Sequence, residues 1–195
     1  MALVLGTNCG FVTVAPTADP AEGNKIIDAV SWAFKDTSPA VLTAITEIGW
    51  WCDTASEESN FEVGLYSHNA GTNKPDVRLY VANTNAKGTT AGWKTVTVNW
   101  TIVPGTVYWI AVQLDNCATA TYTNYVGGGE RSLGTDGTTL VNPWTGGSAA
   151  AETLAFYALA AAGAEYVDIS GTIDGTSSLS GTLTLSTQVN ITGVI

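Results

Sequence analysis

The sequence predicts an all-β protein built as an antiparallel sandwich, and three observations carry that prediction. The runs Ile45–Asp53, Phe61–Tyr66, Val77–Val81, Trp93–Trp100 and Val107–Asn116 are each five to ten residues long and rich in β-branched and aromatic residues. Each run is bounded by Gly, Asn, Thr, Ser or Pro, the residues that break strands and make turns. No gap between the runs has the length or periodicity of a helical crossover, so consecutive strands are expected to pair antiparallel.

Alternation then decides which side chains point inward, because successive side chains of a strand face opposite ways. In the first run Ile48, Trp50 and Cys52 share the apolar face, while Glu47, Trp51 and Asp53 share the other. In the second, Phe61, Val63 and Leu65 point inward, leaving Glu62, Gly64, Tyr66 and His68 outside. In the third, Val77, Leu79 and Val81 are expected inside and Arg78 and Tyr80 outside. In the last, Tyr108, Ile110, Val112 and Leu114 form the apolar row, opposed by Trp109, Gln113 and Asp115. The outward set therefore contains four large rings, Trp51, Tyr66, Tyr80 and Trp109. Two readings are open for them: a further layer or a neighbouring subunit covers them, or they form a stacking platform for a ligand such as a sugar.

The flanking segments follow in order. Residues 1–24 read as an N-terminal arm, with a short strand at Phe11–Val14 followed by turn chemistry around Pro16, Pro20 and Gly23. Residues 25–36 read as an early strand in which Ile27, Ala29, Ser31 and Ala33 oppose Ile26, Asp28, Val30, Trp32 and Phe34. The stretch 67–75 reads as a loop holding the sole histidine, His68. Residues 119–147, with their glycines and Pro143-Trp144, read as a long surface excursion. Residues 148–163 are alanine-rich and admit a helix capped by Ser148 and stopped by Gly163; the closing edge of a sandwich favours a strand over 153–161 instead. Residues 25–163 thus form the body. Residues 164–195 form an extended tail in which Ile169–Ile173 and Leu179–Leu183 repeat the pattern apolar-Ser-Gly-Thr-apolar. Such short repeats bury little apolar surface alone and need something to stack on.

Composition narrows the function classes. Seven Lys and Arg against 17 Asp and Glu give a net charge of −10, which opposes binding to nucleic-acid phosphates or to an anionic membrane. Charged residues make up only 12% of the chain, low for a solitary soluble protein and in keeping with an assembly. The start of the chain has neither a basic region nor an apolar run of signal-peptide length, so synthesis in the cytoplasm without export is expected. Cys9, Cys52 and Cys117 are widely spaced, without a C-x-x-C pair, so no zinc site is expected; Cys52 reads as a buried apolar residue.

No catalytic constellation stands out. His68 has no Ser, Cys or Asp partner at a recognisable spacing, and there is no nucleophile elbow or phosphate loop. Glu47, Asp53, Glu57, Glu58, Glu62 and Asp115 could supply a carboxylate pair, as could the acids of any acidic chain. Asp53, Asp115 and Asn116 at strand ends could supply oxygen ligands to calcium. The expectation is a non-enzymatic protein without cofactor or metal.

The phrases Ile45–Asp53, Phe61–Tyr66, Gly92–Val96 and Tyr108–Asp115 together resemble a jelly-roll module found in bacteriophage structural proteins and in carbohydrate-binding-like surface proteins. The resemblance spans about residues 26–160, and the Ser-Gly-Thr tail is similar to those of phage decoration proteins, fibres and tail appendages. It implies a jelly-roll β-sandwich and a virion structural subunit, a decoration, spike or fibre protein. Such a subunit would associate with itself, as a homotrimer, and with other virion proteins through its terminal extensions. The alternative is a carbohydrate-binding module that attaches to a surface glycan, with Trp51, Tyr66, Tyr80 and Trp109, the rings that alternation places outside, as its stacking faces. The resemblance itself carries over no catalytic or ligand residue.

Overall fold

The computed structural model describes residues 2–21, 23–27, 30–55, 60–114, 121–145, 147 and 149–161. Among them the chain is all β: β1 (Gly10–Val12), β2 (Gly23–Ile26), β3 (Val30–Thr37), β4 (Ala44–Cys52), β5 (Thr54–Ala55), β6 (Phe61–Asn69), β7 (Lys74–Thr84), β8 (Gly92–Thr101), β9 (Val107–Leu114), β10 (Thr121–Asp136), β11 (Ala149–Leu154) and β12 (Phe156–Ala161). A four-stranded sheet runs in the order β1-β12-β4-β8, and a larger one in the order β11-β10-β3-β9-β6-β7, with β2 and β5 both paired to β10. The pairings are antiparallel, apart from β1, which lies parallel to β12.

The two sheets pack face to face as a sandwich, and alternation explains what lies between them. Ile48, Trp50 and Cys52 of β4, Phe61, Val63 and Leu65 of β6, and Tyr108, Ile110, Val112 and Leu114 of β9 all enter the main core, as their alternation predicts. Trp32 and Phe34 of β3 and Phe156 and Ala158 of β12 join them. The register matches ring to branched chain: Phe61 faces Leu114, Val63 faces Val112 and Leu65 faces Ile110 across β6 and β9. Burying each such side chain contributes about 1.5–3 kcal/mol.

Strand β7 departs from the expected faces. Val77, Leu79 and Val81 are exposed (47%, 43% and 40%), whereas Tyr80 and Ala82 pack against the core beside Leu65 and Val63. The ladder between β6 and β7 shifts register at Leu65/Tyr66 and again at Tyr66/His68. A one-residue slip exchanges the two faces of a strand, and β7 lies at the edge of its sheet, where nothing on the far side enforces the apolar pattern. The loop expected over 67–75 is shorter: β6 and β7 continue into it and leave a tight turn in which Asn69 Oδ1 accepts from the N–H groups of Gly71 and Thr72, at 3.0 and 3.2 Å.

Of the segment read as an N-terminal arm, β1 packs on the chain's own sandwich. Phe11 enters the core, its ring edge-on to Tyr108, and β1 completes the edge beside β12. The Phe11 N–H donates to Asp36 Oδ2 at 2.8 Å, tying β1 to a strand of the opposite sheet. Burial raises the Asp36 pKa above the ordinary carboxylate value, against the hydrogen bonds from the Phe11 and Thr37 N–H groups. Burial, reinforced by Asp36, pushes the nearby Cys9 thiol up to about 12, so it is an inert apolar residue.

The surface excursion expected over 119–147 is instead largely β10, a strand of 16 residues. Its glycines make a bulge rather than a loop: pairing with β11 slips between Gly127 and Arg131, and Gly128 and Gly129 have φ of 97° and 64°. That bulge lets one strand pair with β2 and β5 at one end and with β3 at the other. The alanine-rich segment is extended, as β11 and β12. Ala155 breaks it so that the chain leaves one sheet and enters the other, with its N–H on Asn124 O and its C=O taking the Trp51 N–H, both at 2.9 Å. The chain divides into compact units at residues 1–162 and 163–195. The second unit, with the two Ser-Gly-Thr repeats and the tail reading that rests on them, lies outside the described residues.

The bulge yields a paired prediction. A Cβ on Gly129 would meet Thr153 Oγ1 and lie 3.1 Å from Phe34 Cε2 at positive φ, whereas one on Gly127 meets nothing within 4 Å. Gly129→Ala is expected to destabilise the fold by about 1–3 kcal/mol, and Gly127→Ala by less than about 0.5 kcal/mol, in urea unfolding of the full chain. Equal effects would contradict the bulge.

Candidate functional site

The four rings expected to face outward are all occupied by the chain itself. Trp109 is wholly buried in the outer layer of the large sheet, with Tyr66, Leu140 and Trp144. Tyr66 is wholly buried too. Its hydroxyl donates to Val141 O at 2.6 Å and its ring sits 5.0 Å from Trp144, edge to face. Trp51 is covered on the small sheet by Leu3, Cys9 and Ala155 and meets Trp93 edge-on at 5.5 Å. Tyr80 is half-buried, stacked on Trp100 at 5.3 Å and 9°, with its hydroxyl on Thr101 O at 2.9 Å. Of the two readings open for these rings, cover by a further layer of the chain describes Trp51, Tyr66 and Trp109, which are buried, while Tyr80 stays half-buried with one face on Trp100. The structure scatters the four over both sheets instead of gathering them. The physical reason is that segments expected to lie elsewhere, the N-terminal residues and 137–147, return as covers. Among the described residues, the large apolar side chains that do stand exposed are all aliphatic.

His68 belongs to a polar cap over Trp109. The Trp109 indole N–H donates to His68 Nδ1 at 3.2 Å, which fixes that nitrogen as the unprotonated one. Lys35 lies over the same indole, 5.9 Å from the ring centre, and is held by Glu130 and by Asn73 Oδ1 at 2.9 Å. Asn73 Nδ2 closes the ring of contacts on Glu130 at 2.6 Å. Burial lowers the His68 pKa, and the Lys35 charge lowers it further. This arrangement holds a neutral imidazole as an acceptor for one indole.

The acids serve as clamps. Glu62 Oε2 accepts from the Leu140 N–H at 2.7 Å, Glu47 accepts from the Tyr157 hydroxyl, and Asp53 Oδ2 accepts from Asn24 at 2.8 Å. Glu57, Glu58, Asp115 and Asn116 lie outside the described residues. Glu152 binds both Lys25 at 2.8 Å and Arg131 at 2.6 Å, and those cations lie over the rings of Tyr125 and Trp32 at 4.3 and 4.8 Å. Burial of Glu152 works against its charge, yet the hydrogen bonds from Lys25 and Arg131 hold its pKa below the usual value. Nothing in the sequence pattern signals this cluster, because its members come from β2, β10 and β11, far apart in the chain. Among the described residues no three His, Cys, Asp or Glu stand together as metal ligands.

An open cleft of about 510 Å³ lies at one end of β6 and β7. Asn60, Glu62, Asn83, Asn85, Thr138 and Thr139 are among the residues that line it. Amides and hydroxyls each donate and accept, so the lining can meet the hydroxyl groups of a polar molecule. Sequence reasoning treated these Asn and Thr residues as turn-makers, and their composition alone gives no other signal. Comparison of the chain with protein-family models, with curated proteins and with solved structures finds no match.

The cap over Trp109 sets a pH dependence. A histidine whose folded pKa lies below 6.5 stabilises the fold fully above pH 6.5, and that contribution is lost as the pH falls from there through the folded pKa. Urea midpoints of the full chain are expected to fall between about pH 7.5 and about pH 5.5, with a shallower fall in His68→Gln. Identical slopes would contradict the Trp109–His68 bond.

Proposed function

We propose that the chain is a non-enzymatic structural subunit of a bacteriophage virion, a capsid decoration, spike or fibre protein, which forms a homotrimer and docks on other virion proteins. Its sandwich is read as a jelly roll, supported by the chain passing between sheets from β3 to β4, from β7 to β8 and from β8 to β9. One observation carries the assembly reading: the edge of the large sheet at β7 is unguarded over Leu79–Thr84. β7 runs for 11 residues and exposes Val77, Leu79 and Val81. Solitary proteins blunt such edges with lysine, proline or a bulge. Here Lys74, Pro75 and Arg78 guard the beginning of β7, but Leu79–Thr84 carries neither charge nor proline. A strand from a neighbouring subunit would complete that edge by main-chain hydrogen bonds. The low content of charged residues fits a chain that meets protein over much of its surface.

The N-terminal residues take part in the chain's own sandwich, so the proposal places assembly on β7 and on residues 164–195 rather than on both ends. Light scattering during size-exclusion chromatography tests it. The full chain is expected to elute as a stable trimer, and Leu79→Lys with Val81→Lys, or truncation after Gly163, is expected to lower its mass. A monomer at every concentration, unaffected by either change, overturns the proposal. A monomer that is retained on immobilised polysaccharide would transfer the function to glycan attachment, with the Asn60–Thr139 cleft as its seat.

A further inference from the structure

Lys94 is an unusual lysine. It lies on β8, directly across the ladder from Trp50 on β4, so both side chains point into the sandwich. It is 7% exposed, and its ammonium donates only to backbone carbonyls, Lys87 O at 2.9 Å and Thr90 O at 2.8 Å. Among the described residues no carboxylate pairs with it. A buried ammonium ordinarily has a counter-charge, because withdrawing it from water costs several kcal/mol.

A second, independent feature lies beside it. Trp50 is 3% exposed, and its indole N–H has no acceptor. Trp50 and Lys94 line one small cavity, of about 10 Å³, together with Lys87 and Gly88 of the 85–91 loop. Its other walls are Cys52, Ala55, Phe61 and Leu114, which offer little to a hydrogen donor, and Thr121, whose buried hydroxyl donates as well as accepts; among the described residues no acid lines it. The cavity is the size of one small sphere. Its donors and its positive charge outweigh its acceptors. Water there would accept from the indole and the ammonium, but would then have to place its own two hydrogens on Thr121 or on the carbonyls that already hold Lys94. A monatomic anion accepts from both and brings no hydrogens to satisfy.

We propose that this cavity binds a single halide ion, chloride in solution, held by the Lys94 ammonium and the Trp50 indole N–H. The ion neutralises the buried lysine and pins the 85–91 loop, whose carbonyls already hold Lys94, against the small sheet. It gives an acidic chain one internal anion site where its charges favour one.

Anomalous diffraction from crystals of the full chain grown in sodium bromide tests the proposal. A bromide peak is expected between Trp50 and Lys94. Thermal unfolding at fixed ionic strength is expected to occur at higher temperature in chloride or bromide than in gluconate, which is too large to enter. Trp50→Phe keeps the ring but removes the donor, and is expected to weaken apparent halide binding about tenfold, the loss of one charge-assisted hydrogen bond. Lys94→Met is expected to abolish the halide dependence; if it does not fold, Trp50→Phe and the diffraction experiment decide alone. A water in the cavity, a carboxylate of the chain itself on Lys94, or equal stability in chloride and gluconate overturns the proposal.

Discussion

Large rings on both faces of the same strands are the constraint on which this structure depends. β4 carries Trp50 toward the core and Trp51 away from it; β9 carries Tyr108 inward and Trp109 outward; β6 carries Leu65 inward and Tyr66 outward. Two sheets facing each other cover one face of each. The other faces would leave rings of about 150–250 Å² each in water, so more chain has to return over them. On the small sheet the cover is Leu3 and Cys9; on the large sheet it is Leu140 and Trp144, with Lys35 and His68 over Trp109. The result is a sandwich with an outer layer on each side.

The covers are held by acids. Asp36 receives the Phe11 N–H and brings the N-terminal strand onto the body, while Glu62 receives the Leu140 N–H and anchors the segment carrying Trp144. Glu130 and Glu152 hold the lysines and the arginine that lie over the rings of Trp109, Tyr125 and Trp32. Carboxylates engaged in this way hold backbone segments and cations in place over the rings.

Strand identity and inward faces were legible wherever a strand is central. β4, β6 and β9 have neighbours on both sides, and a packed inner face leaves their alternation only one solution. β7 was misread because it is an edge with a slipped register, so Tyr80 and Ala82 took the core in place of Val77, Leu79 and Val81. β10 was misread because glycines signal a loop in sequence, while here they form a bulge within a long strand. Trp51, Tyr66 and Trp109 were correctly assigned to outer faces, but what covers them is set by contacts between distant segments, such as Tyr66 with Val141 or Trp51 with Leu3. Periodicity carries no information about such pairs. The Asn–Thr cleft and the Trp50–Lys94 cavity were invisible for the same reason.

If the outer layers belong to each single chain, the rings they cover must be shielded without help from a ligand or a neighbour. Hydroxyl-radical footprinting of the full chain under native conditions, read by mass spectrometry residue by residue and repeated on dilution, measures this directly. Trp51, Tyr66 and Trp109 are expected to be as protected as Trp50 and Phe61 in the core, at every concentration. Oxidation of those three at the rate of the denatured chain, while Trp50 stays protected, would show that the outer layers do not close and would return the rings to the solvent.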